Sequence, residues 1–156
     1  MVQAIPEGYY TVTPYLVIDG ASEALAFYTR AFGATELFRM GGPGGKIGHA
    51  EMQIGNSRIM LADEHPAMGH VGPTTLGGSP VGLMLYVDDV DSMHAAAIAA
   101  GAKETRPLQN QFYGDRSSQI TDPFGHTWTL ATHVEDVSPE EMERRMAAMG
   151  EQSQNG

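Results

Sequence analysis

Short apolar runs and longer amphipathic stretches alternate along the chain, and the alternation occurs twice. Leu16-Val17-Ile18 leads through an aspartate and an alanine-rich stretch to Gly33. Leu85-Tyr86-Val87 leads in the same way to Gly101. The offset is 69 residues at the apolar run and 68 at the glycine, and Ile59-Met60-Leu61-Ala62 is answered 69 residues on by Trp128-Thr129-Leu130-Ala131. A period shared over so long a stretch marks two copies of one unit of about 55 residues.

Each copy predicts the same elements. The apolar run suits a strand buried on both faces, and the aspartate after it offers an N-cap. In the first helix Leu25, Tyr28 and Phe32 fall at i, i+3 and i+7 on one stripe, and Gly33 takes the left-handed C′ position. The second helix is predicted over Val90–Ala100, with Met93, Ala97 and Ala100 inward. Strands follow at 35–40, 46–54 and 57–62, and again near 104–107, 115–121 and 127–132, with turns at Gly55-Asn56 and Asp122-Pro123-Phe124-Gly125. The fold class is therefore α+β, with paired β-α-β-β-β units occupying about 9–64 and 81–133. Residues 65–80 hold four glycines and three prolines and read as a linker without helix or central strand. Ser138, Pro139 and Glu141 form an N-terminal helix signature for a last helix over 138–150. That helix carries a stripe of Met142, Met146 and Met149, and 151–156 reads as a disordered tail.

Composition narrows the function. The 156 residues carry a net charge of −10, from 9 Lys and Arg against 19 Asp and Glu. A nucleic-acid binder displaces phosphate counterions with cations, so this balance excludes that class, and an anionic membrane surface is disfavoured on the same ground. No apolar run approaches the roughly 20 residues of a spanning helix, and the N-terminus lacks the pattern of a signal peptide. The absence of cysteine excludes disulfides, a thiolate nucleophile and thiolate-bound zinc. A cytoplasmic, single-domain protein is expected.

The phrases Ala26-Phe27-Tyr28-Thr29-Arg30-Ala31-Phe32-Gly33 and Asp122-Pro123-Phe124-Gly125-His126-Thr127-Trp128 resemble the vicinal oxygen chelate superfamily. That group holds glyoxalase I, bleomycin-resistance proteins, extradiol dioxygenases and fosfomycin-resistance enzymes. His49-Ala50-Glu51, Ile59-Met60-Leu61-Ala62-Asp63-Glu64 and the stretch 128–135 look like its PhnB-like branch. The resemblance covers about 9–137 and implies a curved mixed sheet, helices outside it, and a cup between the two units. In metal-dependent members, His or Glu side chains stand on the first and last strand of each unit. The matching positions here are Thr13, Met60, Gly82 and Thr129. None has an imidazole or a carboxylate, so the resemblance carries over no metal site and no cofactor is expected.

Other chemistry is sparse. His49 and Glu51 lie two apart on a strand and face one side. The bland reading is a solvated or hydrogen-bonded pair on a strand face, because two ligands fall short of the usual three or four. The alternative is a displaced metal site of a lyase, isomerase or dioxygenase, completed by Gln119, Arg116 or Tyr113. His65 and His70 read as exposed linker residues, His94 as surface, and His126 as structural. Residues 40–47 fail the phosphate-loop pattern, and no Gly-x-Ser-x-Gly elbow is present, so no catalytic residue is assigned. Strand alternation from the four aligned positions sends Tyr15, Val17, Arg58, Met60, Ala62, Met84, Tyr86, Thr127, Thr129 and Ala131 to the concave side. The expected ligand site is thus Tyr15, Met60, Met84, Tyr86 and Thr129, with polar contacts from His49, Glu51 or Arg116. Such a lining suits a small, largely apolar or aromatic molecule, held as bleomycin-resistance proteins hold theirs, in a homodimeric protein.

Overall fold

The computed structural model describes residues 1–154. The first unit runs β1 (Tyr15–Ile18), α1 (Ala21–Phe32), β2 (Thr35–Gly41), β3 (Ile47–Ile54) and β4 (Ser57–Asp63). A short helix, α2 (Pro73–Leu76), lies in the linker. The second unit repeats the plan with β5 (Gly82–Tyr86), α3 (Val90–Ala100), β6 (Lys103–Asn110), β7 (Asp115–Thr121) and β8 (Thr127–His133), and α4 (Pro139–Gln154) follows. The strands form two mixed four-stranded sheets of equivalent order, β1-β4-β3-β2 and β5-β8-β7-β6. In each, the first strand pairs parallel to the last and the other pairings are antiparallel. The α+β fold and the duplicated unit expected from the 69-residue period are what the chain adopts.

One core joins the two units. Helices α1 and α3 pack against each other, and the aromatic side of α1 reaches into the second unit. Phe27, Tyr28 and Trp128 are at most 1% exposed, and the rings of Tyr28 and Phe32 lie 5.4 and 4.8 Å from that of Trp128. Burial of each such ring contributes about 2–3 kcal/mol. Buried Asp122 at the β7–β8 turn fixes the orientation of these groups. Its Oδ2 accepts from the Tyr28 hydroxyl and from Trp128 Nε1, and its Oδ1 accepts from the backbone N–H groups of Phe124 and His126. Burial, and then the charge of Asp122, push the Tyr28 hydroxyl pKa well above its ordinary value.

Several local expectations are corrected. β1 is buried on one face, since Leu16 and Ile18 are in the core whereas Tyr15 is exposed. Asp19 does not cap α1. The cap residue is Gly20, which has no side chain, and Asp63 at the end of β4 supplies the acceptor instead. Its Oδ1 takes the N–H groups of Gly20 and Ala21, and its Oδ2 takes that of Ile47. The linker does hold a helical turn, because Pro73 needs no N–H at the first helical position. His94 is engaged with Ser118 at 2.8 Å and Glu104 at 3.1 Å, since α3 lies directly on β6 and β7. The last helix continues to Gln154, through part of the expected tail, and Asn155 and Gly156 of that tail lie outside the described residues.

Candidate functional site

Each sheet has one face on its helix and one face open, and the open faces gather most of the expected site. In the first sheet, Tyr15 stands opposite Met60, Met60 opposite Glu51, and Glu51 opposite Phe38. His49 is next along β3, facing Met40. The side chains form a connected set. The Tyr15 hydroxyl is 2.9 Å from His49 Nδ1, and His49 Nε2 is 3.6 Å from Glu51 Oε1. Glu51 Oε1 also accepts from the hydroxyl of Tyr9, which comes from the segment before β1. Burial and the nearby Glu51 carboxylate raise the pKa values of both tyrosines. His49 and Glu51 are therefore each engaged by a tyrosine, and at 3.6 Å they are not hydrogen-bonded to each other.

The second sheet presents Met84, Tyr86 and Thr129 on its open face, with Met84 opposite Thr129. It also carries a polar group that the sequence reading missed. The Tyr86 hydroxyl donates to Asp115 Oδ2 at 2.8 Å, and His133 Nδ1 lies 2.8 Å from Asp115 Oδ1. Asp136 holds the other ring nitrogen of His133 at 2.8 Å. The bond to Asp115, and then that to Asp136, raise the His133 pKa above its ordinary value. The available signal was parity, because His133 lies an even number of residues from Thr129 along β8 and so shares its face. It was masked because Asp115 and His133 are distant in sequence and their opposition depends on the β7–β8 register.

Arg116 is not with the others. Its Nε and Nη2 each lie 2.9 Å from an oxygen of Asp91 at the start of α3, and its Nη1 bonds Asn110. On β7 it shares parity with Ser118 and buried Ile120, which face the helix. Gln119, three residues away, faces the opposite side, so the two are unable to serve one site.

Two cavities among the described residues differ in lining from the expected common one. Tyr15, Met84 and Tyr86 are 48%, 46% and 62% exposed. A cavity of about 870 Å³ lies instead between the 42–48 hairpin tip and residues 64–70, walled by Tyr15, Val17, Lys46, Ile47, His65 and Met68 among others. A second, of about 290 Å³, lies between β1 and the linker and touches Leu83 and His126. Met60, Met84, Tyr86 and Thr129 line neither. The positions Thr13, Met60, Gly82 and Thr129 offer a hydroxyl pair, a thioether and no side chain, a donor set unsuited to a divalent ion. Among the described residues, no three His, Asp or Glu side chains converge in a way that would hold a metal.

The glyoxalase/bleomycin resistance protein/dioxygenase family model matches residues 10–130. The chain belongs to this superfamily. An uncharacterized protein of Mycobacterium tuberculosis is 41% identical over 143 residues, spanning 90% of this chain and 84% of the relative. Among solved structures, TioX from Micromonospora sp. ML1 is similar at 26% identity and a TM-score of 0.63, covering 80% of this chain and 99% of TioX. The fosfomycin resistance protein FosX of Listeria monocytogenes shares the superfamily fold at 17% identity and a TM-score of 0.63, over 85% of this chain and 97% of FosX.

Proposed function

We propose that the protein is a small-molecule binding protein of the sequestration type, within the PhnB-like branch of the superfamily, that takes an aromatic, largely apolar ligand. The observation that carries this reading is the chemistry of the open faces. Tyr15, Phe38, Met40, Met84 and Tyr86 are between 46% and 62% exposed and lie on sheet faces that no helix covers. Aromatic and thioether side chains displayed in this way mark a recognition surface. The tyrosine partners of His49 and Glu51 give that surface hydrogen-bonding specificity rather than a metal centre. The phrases 49–51, 59–64 and 128–135 support the branch.

In this reading the working form is a cytoplasmic homodimer, in which the open face of one copy is completed by the other unit of a second copy. The test has two arms. Light scattering is expected to give twice the chain mass of 16.7 kDa. A thermal-shift screen of aromatic natural products is expected to find stabilising ligands whose effect is lost in Tyr15→Ala and in Tyr86→Ala. A monomeric mass, or hits that stabilise both variants as well as the parent, would refute the assignment.

A further inference from the structure

A segment of the chain itself lies across the open face of the first sheet. Of the first twelve residues, eleven are exposed and Tyr9 alone is drawn partly out of solvent. Its hydroxyl donates to Glu51 Oε1, and the Arg58 guanidinium lies over its ring, 5.1 Å from the centroid. Arg58 Nη1 also donates to the Glu7 carbonyl at 3.2 Å, and its Nε donates to Gln53. Gly8 passes so close that a Cβ there would stand 2.4 Å from Arg58 Cζ, at a φ of +83° that disfavours other residues. Apart from a turn between Pro6 and Tyr9, these contacts are what hold the segment. A phenol is thus seated on the face by one hydrogen bond to a carboxylate and one cation above its ring.

We propose that this face is a phenol-binding site and that Tyr9 is the chain's own occupant of it. The proposal rests on the reading of the open faces as an aromatic recognition surface, and it names the ligand class of the first one. Ionised, Glu51 only accepts hydrogen bonds, so a ligand must bring a donor, and a phenolic O–H makes the strong charge-assisted kind. The guanidinium favours an electron-rich ring beneath it. The same carboxylate repels a benzoate or a phenolate, so the neutral hydroxyaryl group is selected. Tyr15, His49 and Phe38 supply the adjoining wall, with ring centroids 5.6 and 6.3 Å from His49.

Only five residues separate Tyr9 from β1, so its effective concentration at the face is on the order of millimolar. A free ligand binds the fraction of molecules in which Tyr9 has left, and its apparent affinity falls by that fraction. Removing Tyr9 therefore improves binding, which is the opposite of what removing a wall residue does.

The experiment titrates p-cresol into the full chain and into Tyr9→Ala, Tyr9→Phe and Tyr9→Ala/Glu51→Leu, followed by calorimetry, with 4-methylanisole as the ligand lacking the donor. Tyr9→Ala is expected to bind p-cresol about tenfold more tightly than the parent, as for a site about nine-tenths self-occupied. Tyr9→Phe is expected to show a smaller gain with the fold undisturbed, and adding Glu51→Leu to remove the gain. 4-Methylanisole, which lacks the donor, is expected to bind Tyr9→Ala at least about tenfold more weakly than p-cresol does. Equal or weaker p-cresol binding by Tyr9→Ala and Tyr9→Phe would overturn the proposal, as would 4-methylanisole binding to Tyr9→Ala as tightly as p-cresol. If aromatic ligands still depend on Tyr15 and Tyr86 after such a result, the phenol assignment alone falls. If the chain and all its variants bind no aromatic compound, the sequestration reading falls with it.

Discussion

Tyr28→Phe removes one oxygen from the centre of the shared core and leaves the ring in place. The hydroxyl donates to Asp122 Oδ2, and Tyr28 and Asp122 are 0% and 3% exposed. A hydrogen bond to a buried charge is worth about 1.5–3 kcal/mol, and loss of a single donor from a well-served acceptor falls at the lower end. Asp122 keeps Trp128 Nε1 and the N–H groups of Phe124 and His126, so a loss of about 1.5–2 kcal/mol is expected. For a chain of this size that lowers Tm by about 3–8 °C. Urea unfolding followed by circular dichroism measures it directly, with an unchanged slope showing that the exposed surface is the same. Asp122→Ala, which orphans the phenol, the indole N–H and two backbone N–H groups, is expected to cost at least twice as much. The substitution also has a pH signature. The raised pKa of Tyr28 means that above about pH 10 the unfolded chain gives up this proton while the folded chain keeps it. The unfolded state then binds fewer protons, so stability falls as pH rises past that point, and the fall is shallower in Tyr28→Phe. A loss below about 0.5 kcal/mol in Tyr28→Phe would refute the view that this bond ties the units together.

Asp63→Ala is expected to cost about 2 kcal/mol, because it orphans three backbone donors, and to speed amide exchange at Gly20, Ala21 and Ile47. His133 is expected to titrate above pH 6.5 by NMR; its pairing stabilises the fold fully below that value and is lost as pH rises through the folded-state pKa, and Asp115→Asn should bring the titration back toward 6.5. Gly114→Ala is expected to destabilise the β6–β7 connection strongly, since φ is +103° and a Cβ would meet the Glu135 carbonyl at 2.0 Å; wild-type Tm in this variant would refute that reading. Arg145→Ala is expected to release α4, whose tether runs from Arg145 to the Phe112 carbonyl and to Glu135, and to remove exchange protection from α4 while leaving protection of the β-strands unchanged.

Much of the fold was legible because it depends on short-range pattern. The bounds of α3 and β7 were read without error from apolar spacing and flanking glycine and proline, and the parity of β1, β4, β5 and β8 placed Tyr15, Met60, Met84, Tyr86 and Thr129 on open faces. The failures needed information that lies across the chain. Arg116 was assigned to the ligand side although its parity with Ile120 opposed that, because the partner at Asp91 is not visible from β7 alone. Asp63 caps α1 from 42 residues away, which no local capping rule anticipates. The Tyr86–Asp115–His133 group was missed because three separate strands build it. Tyr9 was given no role although the first unit was begun there, and only its contact with Glu51 reveals it.

The two units descend from one pattern, yet the contact that joins them is made once. Sixty-nine residues after Tyr28 stands Ala97, and sixty-nine before Asp122 and Trp128 stand Gln53 and Ile59. A pair of identical halves would form such a contact twice or not at all. Here the first half has acquired the donor and the second the acceptor, so the duplicates have become complementary and neither is interchangeable with the other. Two copies of residues 1–64 would present two phenols and no carboxylate to receive them, whereas a permuted chain that keeps both halves in the opposite order would retain the pairing.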